Sequence, residues 1–216
     1  MADYPEIITL PFVQDYAPPD GDDNSDQYPS SLPRYFIENY TKKKQRVFDP
    51  FMGFGTTAFV AEELGRIPFG VEADGERFEW GAGQLEHWQN IVSGDAADIV
   101  DFDLPKMDLC VTSPPFMMWH EEWNPLYGGD EEFAGYDVYL LRLKEIFRAI
   151  RFVMKKNALV VVHADNIPHK KGFTPLVRDM SNAISSVFRP AGDVIIQWED
   201  APDEHTLTHC LIFKNA

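Results

Sequence analysis

The sequence is poor in cysteine, with only two among its 216 residues. Cys110 and Cys210 each lie inside an apolar run, and neither has a CxxC partner or a nearby set of histidine and cysteine ligands. A disulfide framework and a structural zinc site are therefore not expected. Both thiols are predicted to be buried and reduced, and no residue is proposed as a metal ligand.

Long hydrophobic runs are also missing. No apolar run approaches the roughly 20 residues that a membrane-spanning helix needs. The first ten residues, MADYPEIITL, lack the basic region and apolar core of a secretion signal. We expect a soluble, cytoplasmic protein without membrane contact, and a chain of this length can form one domain (1–216) with a full core.

Positive charge is scarce. The chain has 19 lysine and arginine residues against 35 aspartate and glutamate residues, and its formal net charge is −16. A protein that grips duplex DNA alone usually carries a basic surface that displaces counterions from the phosphates. Composition therefore disfavours an unassisted binder of duplex DNA.

Strand-like and helix-like segments alternate along the chain, which predicts an α/β fold. We expect a single doubly wound, Rossmann-like sheet, mostly parallel with an antiparallel closing strand, and helices on both faces. The run NALVVVHAD is typical of a strand buried on both sides. Residues 1–28, which end in APPDGDDNSDQY, are predicted to be loop-like. Helices are predicted near 33–39, 56–65, 75–89, 137–154 and 175–188.

Polar residues follow four of the predicted strands where each strand ends. Ligands of a doubly wound sheet bind beyond the carboxyl ends of its strands, near the point where strand order reverses. In chain order, the residues that follow these strands are Asp49 with Gly53 and Gly55, then Glu72, then Asp95, and then TSPPF. Their order predicts one shared binding site.

The residues that follow the first two of these strands indicate a nucleoside cofactor. Glycines at 53 and 55 let the backbone approach a ligand closely, because they carry no Cβ. Glu72, about 20 residues after the turn, is placed to accept both hydroxyls of a ribose. The loop reads G-F-G-T-T-A and lacks the third glycine that a pyrophosphate site would need, so a dinucleotide is disfavoured.

The stretch VTSPPF predicts a rigid hydrogen-bonding corner. Two consecutive prolines fix their φ angles and have no N–H, so the carbonyls of Ser113 and Pro114 can be held outward as acceptors. Phe116 adds an aromatic plane. Such a corner suits a planar group that carries an NH₂.

These motifs resemble the amino-directed DNA methyltransferases, which methylate cytosine N4 or adenine N6. The matching stretches are DPFMGFGTT, FGVE, SGDA and TSPPF, and YPSSLPRYFIENYT is similar to the segment that closes over the methionine end of the cofactor. The resemblance implies S-adenosylmethionine as cofactor, with Glu72 on its ribose and Asp95 on its adenine. It also implies that Ser113 and the Pro114 carbonyl bind the target amino group. The implied cofactor residues are Asp49, Phe51, Gly53, Gly55, Thr56, Glu72, Asp95 and Ala96, and the implied catalytic residues are Ser113, Pro114, Pro115 and Phe116.

The substrate is less well defined by the sequence. A Ser-Pro-Pro corner after threonine resembles the cytosine-N4 enzymes more than the adenine-N6 enzymes, and without a Pro-Cys pair methylation at carbon 5 is not expected. A loop over 117–135 stands in place of a large recognition domain. Two basic sets precede strands, which places them opposite the site: Lys42, Lys43 and Lys44 with Arg46, and Lys155 with Lys156. Lys170 and Lys171 follow a strand onto the side of the site.

Three hypotheses follow. The first is methylation of a DNA base, as in restriction-modification, where the base is single-stranded, flipped out or presented by a partner, either a second copy of the chain or a recognition subunit. The second is methylation of an amide or amine in a peptide or small molecule, which the acidic active face favours. The third is a non-catalytic relative that serves in an assembly, although the intact corner argues against it.

Overall fold

The computed structural model describes residues 4–16, 27–201 and 206–216. The helices are α1 (Ser31–Tyr40), α2 (Thr56–Glu63), α3 (Gly75–Ala82), α4 (Tyr136–Val153) and α5 (Leu176–Ser185). The strands are β1 (Ile7–Pro11), β2 (Arg46–Asp49), β3 (Ile67–Glu72), β4 (Ile91–Ser93), β5 (Met107–Thr112), β6 (Met154–Ala164), β7 (Ile167–His169), β8 (Gly172–Thr174), β9 (Arg189–Glu199) and β10 (Leu207–Lys214). Short 3₁₀ turns occur at Trp88–Asn90, Ala96–Asp101, Pro125–Tyr127 and Glu131–Phe133.

Eight of these strands form one twisted sheet in the order β1-β9-β10-β6-β5-β2-β3-β4, and β7 and β8 form a separate hairpin. β10 runs antiparallel to both of its neighbours, and the other pairings are parallel. The predicted sheet, with its antiparallel closing strand, is therefore confirmed. Strand order reverses between β2 and β5, and this is where a doubly wound sheet binds its ligands.

The sheet is buried on both faces, as the apolar run in β6 predicted. Val160 and Val162 pack into the cluster under α4 and α5, whereas Val161 packs into the cluster under α1 and α2. Successive residues of a strand point to opposite faces, so each helical layer receives every second side chain. Cys110 and Cys210 are buried and unpaired, as expected. In the described part of the chain, no helix is long and apolar enough to cross a membrane.

The prediction of a loop over residues 1–28 is wrong for 7–11, which form β1. Ile7 to Pro11 pair in parallel with Ile195 to Glu199 and extend the sheet by one edge strand. Ile8 and Leu10 pack against the α1 and α2 cluster, so alternate side chains are buried. By pairing with β9, β1 satisfies backbone groups that would otherwise be exposed at the edge of the sheet. Residues 17–26, which make up most of the stretch APPDGDDNSDQY at the end of the predicted loop, lie outside the described residues.

The helix predicted over 75–89 is also too long, because α3 ends at Ala82. Asp74 starts it by accepting hydrogen bonds from the N–H groups of Glu76 and Arg77, at 3.0 and 2.9 Å. Gly83 follows the last helical residue and lowers the tendency of the helix to continue. The shorter helix leads into the turn before β4.

Candidate cofactor site and catalytic corner

The cofactor loop, residues 50–55, connects β2 to α2 through two glycines in the left-handed region. Gly53 has φ +55° and Gly55, the N-cap of α2, has φ +99°. Side chains with a Cβ rarely adopt such angles, which explains both glycines. The loop also lies close to β3, since a Cβ at Gly70 would stand 2.6 Å from the sulfur of Met52. Gly70 therefore allows the loop to pack onto the sheet.

Glu72 lies where the loop and the end of β3 meet. Its Oε2 accepts a hydrogen bond of 2.7 Å from the N–H of Gly53, and its Oε1 accepts one of 2.8 Å from the N–H of Asp74. Each carboxylate oxygen has two lone pairs, so each keeps an acceptor position for a ligand hydroxyl. Apart from Gly53 itself and its two chain neighbours, no atom of the described residues lies within 4 Å of the position that a Cβ at Gly53 would take. The open space at Gly53 and the free acceptor positions on the Glu72 carboxylate fit the ribose of a nucleoside cofactor.

Asp95 caps the 3₁₀ turn that begins at Ala96. Its Oδ1 accepts a hydrogen bond of 2.8 Å from Ala97, and its Oδ2 lies 2.7 Å from a guanidinium nitrogen of Arg142. The guanidinium of Arg142 also lies 4.6 Å from the ring centre of Tyr127. Arg142 on α4 therefore links the residue predicted to meet the cofactor's adenine to the loop over 117–135. Arg142 was not among the residues predicted for the site.

Asp49, at the end of β2, is buried, with 2% of its surface exposed. Its Oδ1 accepts hydrogen bonds from the hydroxyl of Thr112 at 2.6 Å and from the N–H of Phe51 at 3.1 Å. Its Oδ2 accepts one of 3.1 Å from the hydroxyl of Tyr28, which also contacts Thr57. Burial raises the pKa of Asp49 to about 6, although the hydrogen bonds oppose that rise. Asp49 thus ties the cofactor loop to the start of TSPPF.

Residues 113–116, the Ser-Pro-Pro motif with Phe116, are here called the catalytic corner after their predicted role. Pro114 is buried and Pro115 is exposed. The hydroxyl of Tyr139, on α4, donates a hydrogen bond of 3.0 Å to the carbonyl of Pro115. Within the described ranges, the carbonyl of Pro114 accepts no hydrogen bond from the protein. It has the free acceptor capacity that the sequence analysis predicted for the target amino group.

His163 lies beside this corner and was missed in the sequence analysis. Its Nδ1 is 2.9 Å from the hydroxyl oxygen of Ser113, and its Nε2 is 2.8 Å from that of Thr208. Phe116 stacks on the His163 ring, with centroids 5.5 Å apart and planes at 29°. The sequence pattern could have identified His163, because His163 and Asp165 lie at the end of an apolar strand, as the predicted site residues do.

The structure thus brings all predicted site residues to the carboxyl edge of one half of the sheet. Thr56 begins α2 directly after the glycine loop, and Phe51 and Ala96 contribute to the core beneath it. The contacts described above connect the cofactor loop to the corner through Asp49 and to the end of β3 through Glu72, whereas Asp95 pairs with Arg142 of α4. Their roles toward a cofactor remain predictions.

The basic residues lie largely where the sequence placed them. Lys155, near the amino end of β6, lies 2.6 Å from Asp108 of the neighbouring strand, on the side opposite the corner. Lys170 and Lys171 are exposed in the β7–β8 hairpin. The N–H of Trp119 donates a hydrogen bond of 3.1 Å to Thr174 of that hairpin. The loop over 117–135 and the hairpin therefore adjoin each other on the catalytic side.

Comparison with known sequences points to one family. Residues 9–82 match the family model described as DNA methylase. The type II methyltransferase M2.DpnII of Streptococcus pneumoniae is 36% identical over 64 residues, which cover 28% of this chain and 24% of that protein. The type II methyltransferase M2.LlaDCHI of Lactococcus lactis subsp. cremoris is 37% identical over 54 residues, 23% of this chain and 20% of that protein. The matched stretches thus span about a quarter of the length of these curated relatives.

Comparison with solved structures establishes the fold more widely. A SAM dependent methyltransferase from Archaeoglobus fulgidus has a TM-score of 0.57 at 16% identity, covering 88% of this chain and 96% of that chain. TrmN from Thermus thermophilus has a TM-score of 0.60 at 15% identity, covering 86% of this chain and 48% of that chain. At these identities the likeness concerns the fold.

The family model ends before the catalytic corner, so it bears on the cofactor loop and not on TSPPF. The family model covers both motifs, DPFMGFGTT and FGVE, and the fold is shared with the solved methyltransferases. The predicted resemblance is therefore confirmed: residues 9–82 match the DNA methylase family model, and part of the chain is similar to two type II methyltransferases.

Proposed function

We propose that this chain transfers a methyl group from S-adenosylmethionine to an exocyclic amino group of a DNA base, cytosine N4 in preference to adenine N6. The observation that carries the proposal is the hydrogen bond from Thr112 to Asp49. This bond holds the Ser-Pro-Pro corner beside a glycine loop that fits a nucleoside cofactor. A binding protein without chemistry would have no use for that corner.

The cofactor is assigned to the edge formed by β2, β3 and β4. Glu72 would accept the ribose hydroxyls, the loop at Gly53 and Gly55 would admit the methionine part, and Asp95 would meet the adenine. S-adenosylmethionine supplies a methyl group on a positively charged sulfur, which keeps the electron pair of the broken bond. These residues would hold the cofactor with that methyl group toward the corner.

The target amino group is assigned to Ser113 and the carbonyl of Pro114. Two acceptors that bind its hydrogens draw the nitrogen lone pair out of conjugation with the ring, so the lone pair can attack the methyl group. Phe116 offers an aromatic plane on which a flipped base stacks. The rate then comes mainly from positioning two reactants and from acceptors placed where positive charge develops.

The net charge of −16 argues that the base reaches the site without a broad duplex contact. A single strand, a flipped-out base, or a base presented by a second copy or a recognition subunit meets this condition. The acidic residues of the loop over 117–135, among them Glu121, Glu122 and Asp130, favour the second candidate, an amide or amine in a peptide or small molecule.

A transfer assay with labelled methyl groups distinguishes these candidates. The protein is offered single-stranded DNA, duplex DNA, RNA and a cell lysate stripped of nucleic acid. Pro114→Ala should abolish transfer, whereas Pro190→Ala, an exposed proline at the opposite end of the sheet, should not. Label in DNA supports the proposal, and digestion to nucleosides then identifies the methylated base. Label only in the stripped lysate supports the second candidate.

Binding of the cofactor is measured separately by calorimetric titration. S-adenosylmethionine and its demethylated product should both bind the wild-type protein, and Glu72→Gln should weaken both. Glu76→Gln, an exposed glutamate on α3, is the control. A wild-type protein that binds neither compound would contradict the proposal at its first step.

A further inference from the structure

The polar side chains behind the catalytic corner form a continuous chain of hydrogen bonds. Ser113 contacts Nδ1 of His163 at 2.9 Å, and Nε2 of His163 contacts the hydroxyl oxygen of Thr208 at 2.8 Å. The Thr208 hydroxyl lies 2.6 Å from Oδ1 of Asp165, and Nε2 of His163 lies 3.3 Å from Oδ2 of the same carboxylate. His163 and Thr208 lie on the paired strands β6 and β10, and Ser113 and Asp165 directly follow the ends of β5 and β6.

The direction of each hydrogen bond follows from the last member, Asp165. Burial alone would raise the pKa of Asp165, but the hydrogen bonds from His163 and Thr208 lower it below its ordinary value. Asp165 is therefore ionised at neutral pH and can only accept. The hydroxyl of Thr208 must then donate to Asp165, which leaves its oxygen to accept the Nε2–H of His163.

With its proton on Nε2, neutral His163 has a bare Nδ1, which accepts the hydroxyl hydrogen of Ser113. The lone pairs of Ser113 are consequently left for a donor on the other side, where the target amino group is assigned. The serine assigned to bind an N–H of the substrate thus also donates a hydrogen bond to a base, Nδ1 of His163.

We propose that Ser113, His163 and Asp165 form a proton relay that takes up the proton released when the target nitrogen is methylated. The inference deepens the proposed function and rests on it. An amino nitrogen that gains a methyl group carries one proton too many and a positive charge. Ser113 accepts that proton as its own moves to Nδ1 of His163, and the resulting imidazolium is stabilised by Asp165.

Proton and charge balance without another reactant. The nitrogen loses one proton and becomes neutral, Ser113 ends unchanged, and His163 gains one proton. Release of that proton to water restores the neutral ring for the next turnover. His163 acts through Ser113 and does not touch the substrate, so it is a positioning residue for proton uptake.

The ring also has a steric role that is compatible with the relay. Phe116 stacks on one side of His163, and the ring of Tyr28 meets it edge-on at 5.6 Å. These contacts restrict rotation of the imidazole and keep Nδ1 toward Ser113. A histidine that only filled space would not need two opposed hydrogen bonds at its two nitrogens.

Nuclear magnetic resonance of protein labelled with ¹⁵N-histidine tests the relay without any cofactor. The signals of His163 are identified by their loss in His163→Gln. At neutral pH we expect the proton on Nε2 and an unprotonated Nδ1, and Ser113→Ala should shift the Nδ1 signal alone. A proton found on Nδ1 would overturn the proposal, because Ser113 would then face a donor.

Kinetics with single-stranded oligodeoxynucleotides and labelled S-adenosylmethionine form the second test. His163→Gln should lower kcat on the order of 10²-fold, with the dissociation constant of S-adenosylmethionine unchanged. His87→Gln, which removes a histidine paired with Glu62 on a distant surface, should leave kcat unchanged. Asp165→Asn, which preserves the volume, replaces His163→Gln if that variant does not fold.

The outcomes separate the relay from the proposed function. An active wild-type protein whose His163→Gln and Asp165→Asn variants keep the full kcat overturns the relay and leaves DNA methylation standing. A wild-type protein that transfers no methyl group to any oligonucleotide contradicts the proposed function, and the position of the His163 proton then decides whether the relay is built as inferred.

Discussion

The hydroxyl of Thr112 donates a hydrogen bond of 2.6 Å to the buried carboxylate of Asp49. The two residues end neighbouring parallel strands, on either side of the point where strand order reverses. A buried carboxylate is costly unless its oxygens are satisfied, and here the backbone of the cofactor loop and the first residue of TSPPF both satisfy it. Asp49 therefore couples the position of the loop to the position of the corner.

The raised pKa of Asp49 predicts an unusual dependence of stability on pH. Burial raises this pKa from 3.8 to about 6, so between these values the folded protein holds a proton that the unfolded chain has released. The stabilisation by the protonated carboxyl is complete below about pH 4 and is lost as pH rises through 6. Relative to Asp49→Asn, the wild-type protein should lose roughly 3 kcal/mol of unfolding free energy over this window.

Urea denaturation of both proteins at several pH values checks this prediction. Asp108→Asn is the control, because the pKa of Asp108 is shifted in the opposite direction to that of Asp49. Burial would raise the pKa of Asp108, but hydrogen bonds from Lys155 and the backbone of Arg46 lower it below its ordinary value. The wild-type advantage over Asp108→Asn should therefore grow as pH rises from acid. A constant difference between wild type and Asp49→Asn would show that Asp49 does not titrate in this range.

Gly53 and Gly65 both have left-handed φ angles, but an added Cβ would meet open space at Gly53 and the side chain of Lys43 at Gly65. Gly53→Ala should cost about 1 kcal/mol of stability, because alanine is strained at φ +55°. Its effect on S-adenosylmethionine binding should be larger, since only a ligand would meet the added methyl group. Gly65→Ala, at φ +70° after α2, should cost similar stability and leave binding unchanged.

Calorimetric titration and thermal unfolding of the two glycine variants separate strain from ligand contact. The prediction requires a loss of affinity for Gly53→Ala that exceeds any loss for Gly65→Ala. Equal affinities in the two variants would mean that the ligand does not pass close to Gly53.

Local pattern explains which site residues could be predicted from the sequence. Asp49, Glu72 and Asp95 each follow an apolar strand, and the carboxyl ends of parallel strands meet at one edge, so their proximity follows from the fold class. The motif TSPPF could be identified from its two consecutive prolines, which predict rigid carbonyl acceptors. His163 ends a strand in the same way and escaped notice because it was read as part of the apolar run NALVVVHAD.

Other features depend on packing between distant segments. Arg142 lies on α4, and only the docking of that helix against the 3₁₀ turn after β4 brings it to Asp95. β1 pairs with β9 from the opposite end of the chain, so nothing in the local sequence IITLP identifies its partner. The end of α3 depends on a weak local signal, since Gly81 and Gly83 lower helix propensity without excluding a helix.

The contact between Arg142 and Asp95 predicts a link between cofactor binding and the loop over 117–135. Arg142→Gln removes the ion pair and the stacking on Tyr127, so Asp95 is held less firmly. Because the pair is partly exposed, its loss should weaken S-adenosylmethionine binding only about fivefold. Arg148→Gln, an exposed arginine on the same helix, should have no effect. Calorimetry checks both, and equal affinity of Arg142→Gln and wild type would place the adenine elsewhere.

Trp119, one of two exposed tryptophans in the loop over 117–135, predicts how an acidic protein holds a nucleic acid. Trp119 is 48% exposed and lies beside the hairpin that carries Lys170 and Lys171, whereas Trp88 is 56% exposed beside the amino end of β4. Stacking on an unpaired base contributes about 1–3 kcal/mol, so Trp119→Ala should weaken binding of a single-stranded oligodeoxynucleotide by roughly 5- to 150-fold.

Trp88→Ala removes an indole of similar exposure from the opposite end of the sheet and should not change that affinity. Fluorescence anisotropy of a labelled oligonucleotide, measured at several salt concentrations, compares the two variants. Because few cations lie on the catalytic side, the wild-type affinity should fall only weakly with added salt. Equal affinities for Trp119→Ala and Trp88→Ala, or a steep salt dependence, would mean that the nucleic acid is held by a surface other than the loop over 117–135.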